Sequence, residues 1–326
     1  MSDLILAVPS KGRLEENAAA IFANAGVALK RAGARGYRGS VSGIGDIDVQ
    51  YVSASEIAAR LADGSVHMGI TGEDLLREEI PDMDSVVQLV LPLGFGQADV
   101  VVAIPDGWVD VQNMADLAEV ASEFRARNGK RLRVATKYTH LTADFFARHG
   151  LVDYRMVESF GATEAAPNAG AAEAIVDITS TGATLGANQL RVPQDGVILK
   201  SQANLAAALS ADWSPAARQA AKALLARLDA RRAAENMVQV HFVGSADAHQ
   251  QIDPDAYAAF QTSYQAQLID GAAGSGALFL IPTAQLDEAR AAWMQTSGCE
   301  QAIVTRPQYI FARRNSLYER LAGSLI

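Results

Sequence analysis

The sequence predicts an α/β fold divided into more than one domain. Three observations carry that prediction. Short apolar runs alternate with stretches of helical spacing along most of the chain, and the turns that join them are rich in Gly, Ser, Thr and charged residues. A third is the length: 326 residues, at roughly 100–200 residues per domain, argue for two or three domains. In an α/β sheet the functional loops gather at the carboxyl ends of the strands.

The elements follow in order. Residues 4–8 form a strand that stops at Pro9, and Ser10-Lys11-Gly12-Arg13 turns the chain into a helix over 14–25. A strand at 49–52 precedes a helix at 54–61 closed by Asp63-Gly64. Residues 66–70 read as a buried strand running into Thr71-Gly72-Glu73-Asp74 and a helix from Leu75, with further strands at 86–91 and 100–104. The next stretch repeats the pattern: strand 132–135, Thr136 and Lys137, an amphipathic helix over 142–149 capped by Gly150, then strand 154–159. Strand 174–178 ends in a Thr/Ser/Gly loop, a helix opens at 185–189, and 197–200 returns as a strand. Ser214 before Pro215 is an N-cap with proline at the first helical position, opening a helix to 236 with Leu224, Leu225 and Leu228 on one face. Strand 237–243, helix 257–267, strand 277–281, helix 285–294 and strand 301–305 make a small β/α sandwich, and a last helix lies within 307–326.

Composition narrows the class. Apolar residues are 49% and charged residues 20% of the chain, the balance of an ordinary soluble globular protein. The net charge is −9 with no block of like charge, so no nucleic-acid partner is expected. An acidic protein still binds polyanions, but with local amides and a few Lys or Arg side chains. Cys299 is the single cysteine, which excludes an intramolecular disulfide and a cysteine zinc site. His67, His140, His149, His241 and His249 show no metal-ligand spacing. Residues 1–8 lack the basic and long apolar segments of an export signal, and no apolar run approaches the ~18–20 residues of a membrane span. The expected location is therefore cytoplasmic, with no membrane partner. No Gly-x-Ser-x-Gly elbow or Walker A loop occurs, so hydrolase and P-loop readings fall away.

Four predicted strand ends carry polar chemistry. After Asp177 and Ile178 comes Thr179-Ser180-Thr181-Gly182-Ala183-Thr184, whose successive amides, hydroxyls and helix start suit a phosphate. The same segment also reads as a plain Ser/Thr-rich helix cap. Lys11 and Arg13 flank Gly12, one a point charge and the other a bidentate fork, although a solvated turn has the same appearance. Arg133 and Lys137 bracket another strand end. Thr71, Gly72 and Glu73 form the fourth, where Glu73 and Asp74 serve equally as helix N-terminal charges. Glu164 is a candidate for a sugar hydroxyl or an ordinary surface turn.

Taken in order, Val8-Pro-Ser-Lys-Gly-Arg-Leu14, Gly69-Ile-Thr-Gly-Glu-Asp-Leu75, Leu93-Gly-Phe-Gly96, Arg133-Val-Ala-Thr-Lys-Tyr138 with Leu141-Thr142, and Glu164 with 174–185 resemble the ATP phosphoribosyltransferase family. The resemblance covers about residues 4–205. It implies a two-lobed, type II periplasmic-binding-protein-like catalytic region, with lobe I at 1–97 and 188–212 and lobe II at 98–187. It implies condensation of ATP with phosphoribosyl pyrophosphate (PRPP), with Mg²⁺, as the first step of histidine biosynthesis. Lys11, Arg13, Arg133, Lys137 and Asp177 would be catalytic. Gly12, Thr71, Gly72, Glu73, Phe95, Gly96, Thr136, Glu164, Thr179, Ser180, Thr181, Gly182, Ala183 and Thr184 would bind the substrates. No residue is assigned to the metal. The family more often has Asp, then Phe-Gly, then Cys-Arg where Gly94, Ala98 and Asp99 stand, so a cation is missing there. Residues 213–326 more weakly resemble the linker helix and ACT-like regulatory domain of the long form. That likeness implies feedback by L-histidine and a homo-oligomer, hexamer or dimer, or a separate regulatory subunit.

Three other readings compete. A two-lobed solute-binding protein would need an export signal, and a prephenate-dehydratase-like enzyme would need a keto-acid site instead of the loop after Asp177. A catalytically inactive regulatory paralogue is suggested by Gly94 and Asp99.

Overall fold

The computed structural model describes residues 3–33, 36–159, 161–243, 254–270 and 277–325. His249 lies outside them. The chain divides into two compact units: residues 1–21, 29–220 and 320–326 form one, and residues 22–28 and 221–319 the other.

The first unit holds two sheets. One sheet has seven strands, β1 (Leu4–Pro9), β2 (Leu29–Arg31), β3 (Arg38–Val41), β4 (Ile47–Val52), β5 (Met68–Gly72), β6 (Val87–Pro92) and β13 (Ala203–Ala208), in the order β2-β3-β4-β1-β5-β13-β6. β1 runs parallel to both β4 and β5, so the turns after β1 and β5 leave the same sheet edge. α1 (Gly12–Asn24), α2 (Ala54–Ala62), α3 (Glu73–Glu79) and the single turn α4 (Met83–Val86) connect these strands. α2 starts where the Ser53 hydroxyl accepts the Glu56 amide, 3.2 Å away. Its Ile57, Ala58 and Leu61 are buried against Ala7, Val66 and Ala206.

The second sheet comprises β7 (Asp99–Pro105), β8 (Leu132–Thr136), β9 (Tyr154–Glu158), β10 (Ala174–Thr179), β11 (Leu190–Arg191) and β12 (Val197–Leu199). β10, β8 and β9 are mutually parallel and β7 is antiparallel to β10. α5 (Met114–Asn128), α6 (Thr139–Arg148) and α7 (Ala183–Ala187) complete it. α5 is absent from the sequence reading although its signals are present. Asn113 and Asp116 form a reciprocal capping box, and Gly129 closes the helix at φ +64°. The segment read with the first lobe, 188–199, pairs with β7 instead, because β11 and β12 hydrogen-bond antiparallel to it. The chain returns to the first sheet only at β13, a strand the sequence reading lacks.

His67 is a core group. Its Nδ1 accepts the Ile5 amide at 3.0 Å, its Nε2 lies 2.9 Å from the Asp212 carbonyl, and Trp213 packs edge-on at 5.1 Å.

The second unit takes up most of α8 (Pro215–Glu235), β14 (Met237–Val243), α9 (Pro254–Tyr264), β15 (Gln267–Asp270), β16 (Ala277–Pro282), α10 (Leu286–Ser297) and β17 (Gln301–Thr305). The sheet order is β15-β16-β14-β17 with every pair antiparallel, a β-α-β-β-α-β arrangement. Alternate β14 residues Val238, Val240 and Phe242 turn inward to meet Phe260, Phe279 and Trp293. Cys299 is buried in that cluster. The helix read over 257–267 ends at Tyr264, after which the chain enters β15. α11 (Ser316–Ser324) follows. Among the described residues no helix is long and apolar enough to cross a membrane.

Candidate active site

Three parallel strands of the second sheet end side by side, and polar groups collect there. β10 delivers Asp177, whose Oδ1 accepts the Ile178 amide at 2.8 Å. Burial raises the Asp177 pKa above the usual carboxylate value, the Ile178 amide and the Lys137 ammonium oppose the rise, and the Glu164 carboxylate adds to it. Lys137 and Glu164, from two other connections, are therefore electrostatic neighbours of Asp177. Lys137 is exposed, with Nζ 4.9 Å from the centre of the Tyr138 ring. The buried Thr136 hydroxyl accepts the Tyr138 amide at 2.9 Å and fixes the turn.

The loop after β10 is organised by its own hydroxyls. Thr179 Oγ1 accepts the Gly182 amide at 2.9 Å, Thr181 Oγ1 accepts the Ala183 amide at 3.4 Å, and Ser180 Oγ donates to the Gln97 carbonyl at 2.8 Å. Gly182 has φ +74°, with open space where a Cβ would stand. Among the described residues the amides of Ser180, Thr181 and Thr184 have no protein acceptor. Ser180, Thr181, Ala183 and Thr184 are exposed. The loop thus offers unspent donors to solvent at the start of α7.

The first sheet contributes the turn after β1. Lys11, Gly12 and Arg13 are all exposed, neither cation has an ion-pair partner among the described residues, and Gly12 takes φ +73°. The link to the phosphate-type loop runs through residues 94–97. A methyl group on Gly96 would lie 3.0 Å from Leu14 in α1, and the next residue, Gln97, accepts Ser180. The Phe95 carbonyl is held by the Ala203 amide at 2.9 Å. Thr71 is fully buried, its hydroxyl donating to the Ala54 carbonyl at 2.9 Å, and Gly72 precedes α3. Glu73 gives one carboxylate oxygen to Arg77 at 2.7 Å, and its amide donates to the Gln202 carbonyl at 3.1 Å. Asp99 pairs with Thr179 across β7 and β10, which sets a carboxylate beside the loop.

Arg133 is not brought to this group. It is the second residue of β8, roughly 10 Å of extended chain before Thr136. There it forks onto Glu173, with Nη2 2.6 Å from Oε1 and Nε 3.2 Å from either oxygen. Of the two cations Arg133 and Lys137, only Lys137 follows the carboxyl end of β8.

Four buried groups outside the predicted site residues join the two sheets. Tyr138 donates its hydroxyl to Asp74 Oδ2 at 2.8 Å, and Ser201 Oγ donates to Asp74 Oδ1 at 2.9 Å while accepting the Asp74 amide at 3.0 Å. One turn further along α3, Glu78 accepts the His140 and Leu141 amides at 2.9 and 3.0 Å and the Thr139 hydroxyl at 3.1 Å. A carboxylate from one sheet's helix caps the helix that begins beside the other sheet's site. Burial, then Asp74, drive the Tyr138 pKa far above its ordinary 10.0. The i,i+4 spacing of Asp74 and Glu78 was the available signal.

Among the described residues no cluster of three or more His, Cys, Asp or Glu side chains forms a metal centre. Asp177 and Glu164 do fit Mg²⁺, which commonly takes one or two carboxylates plus substrate phosphates.

Comparison with known proteins gives the family. The family profile described as ATP phosphoribosyltransferase matches residues 53–230. An ATP phosphoribosyltransferase of Rhodopseudomonas palustris (strain BisA53) is 51% identical over 325 residues, 98% of each chain. One from Bradyrhizobium sp. (strain ORS 278) is 50% identical over 99% of this chain and 98% of its own. Among solved structures, a chain of the ATP phosphoribosyl transferase (HisG:HisZ) complex from Thermotoga maritima superposes with a TM-score of 0.52. It is 24% identical and aligned over 69% of this chain and 96% of its own, a likeness of fold.

Proposed function

This chain belongs to the ATP phosphoribosyltransferase family, and on that premise we propose which of its residues carry the reaction. It is a transferase that condenses ATP with PRPP in the first step of histidine biosynthesis. Adenine N1 attacks the anomeric carbon as the bond to pyrophosphate breaks, and the departing oxygen takes the electron pair.

The observation that carries the assignment is the loop at 179–184, with free amides at Ser180, Thr181 and Thr184 and hydroxyls already locking its shape. It holds the 5′-phosphate of PRPP, and Gly182 lets the backbone approach closely. Asp177 receives a ribose hydroxyl, with Glu164 beside it. Adenine N1 has no proton to lose in the attack, so no strong base is needed and positioning dominates. Charge grows on the pyrophosphate, and Lys137, Lys11 and Arg13, all exposed, are the cations that meet it in this reading. They take the place of the cation absent at Asp99. Gly12, Gly72, Glu73, Phe95 and Gly96 line the ATP side, while buried Thr71 and Thr136 hold their turns. Mg²⁺, bound with Asp177 and Glu164 and the substrate phosphates, would neutralise leaving-group charge.

The catalytic region, 1–212, is read as two lobes of the periplasmic-binding-protein type. The β-α-β-β-α-β sheet of the second unit supports an ACT-like module, and with it histidine feedback. The chain is read as a cytoplasmic homo-oligomer. The complex named for the Thermotoga maritima structure motivates a trial with a separate regulatory subunit. The decisive assay incubates the protein with ATP, PRPP and Mg²⁺ and follows the absorbance of phosphoribosyl-ATP, with and without millimolar histidine. Thr184→Val with an unchanged KM for PRPP removes the loop assignment, and unaltered rate and absent histidine binding remove the regulatory one.

A further inference from the structure

We propose that the amino-terminal edge of the second sheet, remote from the active-site loops, binds a small polyanion carrying two or more phosphate or carboxylate groups. The first observation is a conflict within the sheet. The parallel register of β8 and β9 sets Arg133 directly opposite Arg155. Like charges facing each other across two strands are destabilising, and a sequence that keeps them gains something elsewhere. Arg131, two residues before Arg133, lines the same cavity as both, together with Lys130 and Phe124.

Four cations therefore meet around a cavity of about 580 Å³, within the range of small-molecule sites. Glu173 is the one acid in its lining, and Arg133 occupies it through its guanidinium and its backbone amide, which donates to Oε2 at 2.7 Å. The neighbouring acids are also engaged, Asp153 with Arg125 and Glu123 with Arg127. Lys130, Arg131 and Arg155 have no ion-pair partner among the described residues. The chain as a whole carries an excess of acids, 37 against 28 Lys and Arg, so a general surplus of cations does not explain the cluster. Two free guanidinium forks and an ammonium converging on one hollow suit a multivalent oxyanion, which guanidinium binds in a bidentate manner. Lys137, which follows β8, faces the catalytic loop; Arg133, near the start of the strand, faces this second site.

Inorganic tripolyphosphate is a suitable probe for calorimetric titration of the full chain in 50 mM salt, with citrate in parallel to separate phosphate from carboxylate preference. Wild type should show two classes of site. Arg131→Ala with Arg155→Ala should weaken one class at least tenfold, and the Lys pair R131K/R155K should restore part of it. Arg13→Ala should weaken only the other class. The double Ala variant should keep its turnover and melt no lower than wild type, since it removes opposed charges. An unchanged isotherm in the double Ala variant overturns the proposal, as does loss of all tripolyphosphate binding in Arg13→Ala. If that variant does not fold, the wild-type salt series decides. A class that persists undiminished in 500 mM salt is not held by these side chains, which also refutes the site.

Discussion

Tyr138→Phe probes the joint between the two sheets by deleting one oxygen atom and keeping the ring. Tyr138 is 1% exposed and its acceptor Asp74 is 5% exposed, so water does not replace the lost donor. A hydrogen bond to a charged group is worth about 1.5–3 kcal/mol, and Asp74 retains the Ser201 hydroxyl, so a loss of about 2 kcal/mol is expected near neutral pH. For a unit of this size that corresponds to a fall of roughly 4–8 °C in Tm.

The deficit should depend on pH in a specific direction. The phenol is held protonated in the folded state well above its ordinary pKa of 10.0. Above that value the unfolded chain releases the proton and the folded chain keeps it. Wild-type stability therefore falls by about 1.4 kcal/mol per pH unit on account of this group, and the Phe variant is spared. A gap of about 2 kcal/mol at pH 8 should narrow to about 0.6 kcal/mol by pH 11. Urea unfolding followed by tryptophan fluorescence at both pH values measures it. A gap that is absent at pH 8, or as wide at pH 11, refutes the buried Tyr138–Asp74 bond.

Four further outcomes follow from the same geometry. Asp177→Asn should cut turnover by roughly tenfold or more while leaving Tm equal or higher at pH 7. Burial raises the Asp177 pKa, so the stability of the protonated form is present in acid and lost as pH rises through the folded value; melting curves with turnover assays check both. Thr181→Val or Thr184→Val should raise the KM for PRPP with little change in melting temperature, read from initial rates at saturating ATP. Lys11→Ala or Arg13→Ala should lower kcat about a hundredfold, the scale of one preorganised transition-state contact, with Tm unmoved because both are exposed. Glu78→Gln should lower Tm by several degrees, since a neutral amide replaces the carboxylate that caps α6, and thermal unfolding detects it.

The sequence revealed those parts of the molecule whose cause is local. β1, β5, β8 and β10 were readable because a short apolar run stops at a Gly, hydroxyl or charged turn, and the turn after β10 showed its donors in consecutive residues. β13 was not readable, because Ala203-Asn-Leu-Ala-Ala-Ala208 has the composition of a helix. It is a strand because β5 and β6 flank it on both sides and all six of its residues are buried, so tertiary packing that admits only small side chains overrides propensity. Arg133 shows the converse error. Its motif locates a strand correctly but does not tell at which of the strand's ends the polar loops gather, and that distinction depends on which way neighbouring strands run. The joint was hidden for a third reason: Asp74 meets Tyr138 and Ser201 at separations of 64 and 127 residues, and no pattern within a window of the chain encodes such a meeting. A family's motifs therefore point to the exposed loops at the strand ends, while the buried carboxylates that hold those loops in place emerge only when the two sheets are seen together.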